Sequence, residues 1–109
     1  MIINVMGTKY KVKFKKMRDR HGDVDYQTKT IRINVSDSPQ QQSLALTHEV
    51  LHASLFESGL LFVDKLEGLD EAIVRCMENG LKSANLIKQV DFDDLGTDAR
   101  MERFDQETD

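Results

Sequence analysis

Thr47-His48-Glu49-Val50-Leu51-His52 sets two imidazoles four residues apart, with a carboxylate beside the first. On an α-helix, positions i and i+4 share one face about a turn apart, so both rings can reach one ion. Glu49 can then accept a proton from water that the ion acidifies. This is the HExxH pattern, and its chemistry is hydrolysis assisted by zinc. A shuffle of this composition would contain the pattern with a probability on the order of 0.3%. Chance is a poor account of it, provided the stretch is helical.

A hydrolytic zinc site takes three protein ligands and keeps one position open. No histidine follows His52, so an acid is expected to complete the set. Glu67, Asp70 and Glu71 all lie at the start of the next helical run. Asp70 is nearer the centre of that run's apolar stripe, while Glu71 has the longer side chain. Glutamate is the usual carboxylate in two-histidine sites, which favours Glu71, with Asp70 next and Glu67 last. The expected set is His48, His52 and Glu71 around Zn2+, with Glu49 as general base.

Other reactive side chains read more plainly. His21 lies in RDRHGDV among charged neighbours, without a helical partner, and is expected to be an exposed loop residue. Tyr26 is a candidate oxyanion donor by residue type only. Cys76, the single cysteine, excludes an internal disulfide, suits a reducing compartment and is expected to be a small core residue.

The elements that must hold these groups can be read from period and punctuation. Ser38, Pro39 and Gln41 make a helix start, with Ser38 as N-cap and Pro39 at the first helical position. That helix is predicted from Pro39 to Ser58, with Gly59 as its left-handed stop and Leu60 folding back as an apolar cap contact. Leu44, His48, Leu51, His52 and Leu55 form a stripe, which turns both histidines inward toward a sheet. Leu60–Val63 reads as an apolar connector and Asp64–Glu67 as a second capping box. A second helix is predicted from Leu69 to about Lys88, with Ile73, Val74, Met77, Leu81 and Ala84 on one side. Gly80 interrupts it, as close approach of another helix would require.

Upstream, Ile2–Met6 and Lys9–Met17 read as strands around a Gly7-Thr8 turn, with Tyr10, Val12 and Phe14 opposite Lys9, Lys11, Lys13 and Lys15. Arg18–Val24 reads as a loop. Asp25–Gln27 and Thr30–Val35 read as hairpin arms around Thr28-Lys29, with Ile31, Ile33 and Val35 on one face. The fold class is α+β: a small, mostly antiparallel sheet of three or four strands, then two long helices.

Length allows one domain, expected over residues 1–90, followed by an acidic tail over 91–109 that is solvated and partly disordered. The net charge is −4, yet residues 1–20 carry seven basic groups against one acid. The lysine stripe reads as a solvated sheet face or a guarded edge strand. It has no aromatic neighbours for base stacking, so nucleic-acid binding is not expected. No apolar run is long enough to span a membrane and the N-terminus lacks a signal-like build, so the expected location is cytoplasmic.

KTIRIN, LALTHEVLHASLFESGL and DEAIVRCMENGL, over roughly residues 24 to 85, resemble the small ImmA/IrrE-like zinc metallopeptidases of phages and bacteria. The resemblance implies a minimal gluzincin-like core: a small sheet, an active-site helix and a glutamate from the following helix. By position it makes His48, His52 and Glu71 ligands and Glu49 the general base. The expected function is hydrolysis of a protein or peptide substrate. The alternatives are a zinc-stapled or inactive zincin-fold binding protein and, ranked lower, a nucleic-acid binder using the Lys9–Lys15 strand.

Overall fold

Alternation in the first fifteen residues becomes a hairpin in the computed structural model, which describes residues 1–60 and 68–86. Strand β1 (Ile2–Val5) pairs antiparallel with β2 (Thr8–Lys15). The tight turn falls on Met6 and Gly7, with φ of 50° and 91°. Two left-handed residues in succession match the right-handed twist of the strands they join.

The sheet order is β1-β2-β4-β3. Strand β4 (Thr30–Asn34) runs parallel to β2, with Val12 opposite Ile31 and Phe14 opposite Ile33. Strand β3 (Gly22–Asp25) pairs antiparallel with the far side of β4 and forms the edge. The sheet is therefore mixed, with two antiparallel pairings and one parallel.

The β3–β4 hairpin sits earlier than its sequence suggests. β3 occupies the second half of the expected loop, and Tyr26–Lys29 form the turn. The Asp25 carboxylate causes this by accepting the backbone N–H groups of Gln27 at 2.9 Å and Thr28 at 3.2 Å. Those bonds close a turn in place of continuing the ladder. They also lower the Asp25 pKa, Thr28 contributing most.

Tyr10, Val12, Phe14, Ile31 and Ile33 are all fully buried on one sheet face. They pack with Ala45, Leu46 and Ala53 of the first helix into a single core. β2 lies inside the sheet, so its lysines do not guard an edge; they stand on the opposite, solvated face.

Helix α1 (Pro39–Glu57) starts as the capping signals require, with Ser38 Oγ accepting from Gln41 N at 3.2 Å. Gly59 supplies the left-handed stop at φ 80°. Leu60 stays 44% exposed and does not fold back. Near the C-terminus, Glu57 accepts from Thr8 Oγ1, Tyr10 Oη and Lys29 Nζ at 2.9, 2.6 and 2.8 Å. These three bonds fasten α1 to the sheet. Lys29 first, then Tyr10, hold the Glu57 carboxyl down at about 2.

Helix α2 (Asp70–Ser83) packs on α1. It is shorter than its apolar pattern predicts, because Asn85 takes φ 58° and Leu86 N bonds back to Leu81 O at 2.9 Å. This left-handed cap ends the helix five residues before Lys88, which lies outside the described residues. Cys76 and Gly80 are exposed and not packed, and a Cβ on Gly80 would meet nothing. Val74 is the one fully buried side chain of α2. Glu67, the connector 61–63 and the tail 91–109 lie outside the described residues. None of the described helices is long and apolar enough to cross a membrane.

Candidate metal centre

The two histidines of α1 do not face the sheet. Leu46, Ala53 and their neighbours do, and the histidine stripe is turned toward α2 instead. A helix covered on two sides has two inward faces, so one apolar-looking stripe can serve a second helix while smaller residues meet the sheet.

His48 Nε2 and His52 Nε2 stand 3.2 Å apart. Glu71 reaches both: Oε1 is 3.1 Å from His48 Nε2 and Oε2 is 2.9 Å from His52 Nε2. Neighbouring ligand atoms around a four-coordinate zinc, with bonds of roughly 2.0–2.1 Å, lie about 3.3 Å apart. The observed spacings are those of such a shell.

The far sides of the rings are also occupied. His48 Nδ1 lies 2.9 Å from Glu78 Oε2, and His52 Nδ1 lies 3.5 Å from Asp70 Oδ2. A carboxylate can only accept, so Glu78 can take an Nδ1 proton from His48 and leave its Nε2 lone pair for an ion. Without an ion, Glu71 is placed to accept from His52 Nε2. Two imidazole nitrogens and a carboxylate gathered at these spacings fit a dication. Burial raises the Glu71 carboxyl, but His52, His48 and Arg75 outweigh it and lower it overall, keeping it anionic.

Of the three acids considered, Glu71 stands against both Nε2 atoms and Asp70 against the back of His52. Sequence spacing alone does not place Glu78 beside the histidines. One signal pointed to it: it follows Glu71 by seven residues, two turns on, and shares its face.

Glu49 is buried on the same helix, with its carboxyl pushed up to about 7. Burial is the main cause, opposed by His48 and reinforced by Asp23, Glu71 and Glu78. Gly22 of β3 borders Glu49, and a Cβ there would lie in ordinary contact with Glu49 Cγ at 3.5 Å but only 2.8 Å from Arg32 O. A side chain at position 22 would thus disturb the pairing of β3 with β4 beside the general-base candidate.

His48, Glu49 and Glu71 form one end of a cavity of about 520 Å³, whose outer wall includes Arg20, His21 and Arg75. His21, read as an ordinary loop residue, is 63% exposed yet belongs to this wall, its Nδ1 held 2.7 Å from Asp37 Oδ2. Asn34 sets that wall in place. Its amide donates to Met17 O at 2.8 Å and Arg20 O at 3.0 Å, and its oxygen accepts from Ser36 N at 3.0 Å. Tyr26 stacks flat on Phe56, with ring centroids 4.3 Å apart. Burial, then the charges of Asp70, Glu49 and Glu71, push its hydroxyl up to about 12. Tyr26 therefore stays protonated within the field of the site's acids.

No curated protein matches the chain. A family model described as the IrrE N-terminal-like domain, of the M78 peptidases, matches residues 6–104. With nearly the whole chain matched, and an HExxH helix meeting a glutamate of the next helix in the structure, the protein belongs to the IrrE N-terminal-like, M78 peptidase family.

Proposed function

We propose that the protein is a zinc-dependent peptidase in which His48, His52 and Glu71 hold the ion and Glu49 is the general base. The meeting of two imidazole Nε2 atoms and a carboxylate within 4.8 Å of one another carries this reading. Bound there, zinc supplies Lewis acidity, polarising the scissile carbonyl and acidifying water.

The rest falls to the chain's own residues. Glu49 takes the proton of the attacking water and delivers it to the departing amine. Its buried position favours the second half of that task, since burial stabilises the protonated carboxyl. Glu78 and Asp70 keep the imidazoles in the tautomer that presents Nε2. The outer edge of β3 gives an extended peptide a strand to pair with beside Glu49.

Glu49→Gln should reduce peptide cleavage by at least about a thousandfold, with stoichiometric zinc retained by elemental analysis. Cleavage that survives this substitution would rule the mechanism out. Retained zinc with no cleavage by the wild-type chain would favour the second reading, in which the ion only staples the helices.

A further inference from the structure

We infer that the cavity beside the metal triad receives the residue on the leaving-group side of the scissile bond, and that it prefers a carboxylate there. This rests on the peptidase reading and specifies its substrate. The orientation follows from Glu49. It hands its proton to the departing amine, so that half of the substrate lies on the Glu49 side of the ion. The cavity extends from His48 and Glu49 along the preceding turns of α1, past Ala45, Leu44 and Gln41; His52 does not line it.

The preference follows from charge. Lys82 is matched by Glu78 at 3.4 Å, but two arginines from different elements are not fully matched among the described residues. Arg75 on α2 is 72% exposed and has Glu71 as its partner at 3.2 Å. Glu71 is the carboxylate turned to both imidazoles, and a bound dication takes up its charge. Arg20, from the connection before β3, holds its exposed neighbour Asp19 at 3.3 Å and reaches Asp23 at 3.4 Å. Asp23 is already gripped through two nitrogens by Arg32. His21, tied to Asp37 through Nδ1, leaves Nε2 as its nitrogen for a ligand. Guanidinium groups present a fork that fits a carboxylate and are poorly satisfied by an amide or an alkyl chain. The carboxylate is supplied either by an aspartate or glutamate side chain or by a free C-terminus.

Peptide hydroxamates provide the test because they anchor on zinc whether or not the protein cleaves anything. The zinc-loaded full chain is titrated with a matched set carrying Glu, Gln, Leu or Lys next to the hydroxamate. Each is made as a C-terminal acid and as an amide. The Glu amide should bind about tenfold more tightly than the Gln amide if a side chain is read. The Leu acid should exceed the Leu amide by a similar factor if a terminus is read. Arg20→Gln with Arg75→Gln should bring the ratio close to one, and Arg20→Glu with Arg75→Glu should favour Lys. Equal binding across the wild-type set overturns the inference without any variant. So does a preference that survives the double substitution, or binding of no hydroxamate at all. A preserved acid preference in a chain that cleaves no peptide would sink the peptidase reading and leave the pocket standing.

Discussion

In the proposed mechanism Glu49 is a base toward water and an acid toward an amine, and its surroundings press it toward the acid form before any ion is bound. Its folded pKa of about 7 lies above the ordinary 4.5, so folding takes up a proton between those values. The stability this gives is present below pH 4.5 and lost as pH rises through 7. Metal-free Glu49→Gln should therefore be more stable than the wild type at pH 8, by up to about 3 kcal/mol, with the gap closing below pH 4.5. Urea denaturation of chelator-treated protein at both pH values measures it; a gap independent of pH would contradict the assignment. Glu78 carries a separate expectation. Removing a carboxylate that orients a ligating histidine costs roughly 10- to 100-fold in metal affinity. Glu78→Ala should show that loss in competition with a chromophoric chelator. The paired histidines of HEVLH were legible because their relation is local, fixed by one helical turn. Glu78 was not, because the bond it makes spans thirty residues and depends on how two helices meet.

Among the elements, α1 was the most legible, since Ser38, Pro39 and Gly59 mark both ends by local chemistry. The sheet was legible in its faces but not in its order. Alternation tells which side of Tyr10-Val12-Phe14 is buried, whereas the parallel pairing of β2 with β4 depends on how a six-residue connection crosses. That connection is shaped by Asn34, a buried polar residue that reads in sequence as the end of a strand. β3 lies a few residues before the arm expected at Asp25–Gln27, because it is short, lies at an edge and opens on Gly22, where no side chain takes part in an alternation. Asn34→Ala should destabilise the protein by about 3 kcal/mol, since it leaves the carbonyls of Met17 and Arg20 without their donor. It should also impair peptide cleavage, by freeing the wall that holds Arg20 and His21. Thermal or urea unfolding checks the first effect. A loss under about 1 kcal/mol would mean that water replaces the amide.

At the scale of the molecule, one sheet is covered on one face by α1, and α2 leans on α1 in turn. The candidate ion site is the seam between the helices, with two ligands on one and the third on the other. An ion there is a cross-link as well as a reagent, and metal binding should raise the unfolding temperature by mass action. The exposure of Cys76 and Met77 follows from the same layering, because among the described elements α2 packs chiefly on α1, which leaves part of its apolar stripe uncovered. The stripe's period was legible, but how little of it would be covered was not.

The single buried residue of α2 reaches further than its position suggests. Val74 touches no ion, yet much of the apolar anchoring of α2 rests on it. Glu71, the proposed third ligand, is available only in the fraction of molecules whose second helix is docked. An apparent affinity scales inversely with the competent fraction. Val74→Ala should therefore weaken zinc binding several-fold, at most about thirtyfold, with every ligand intact. Calorimetric titration would show it, and an unchanged affinity in a destabilised variant would mean the helix stays docked without help. Two methyl groups, one turn along α2 from Glu71, would then set how much metal the protein needs to be complete.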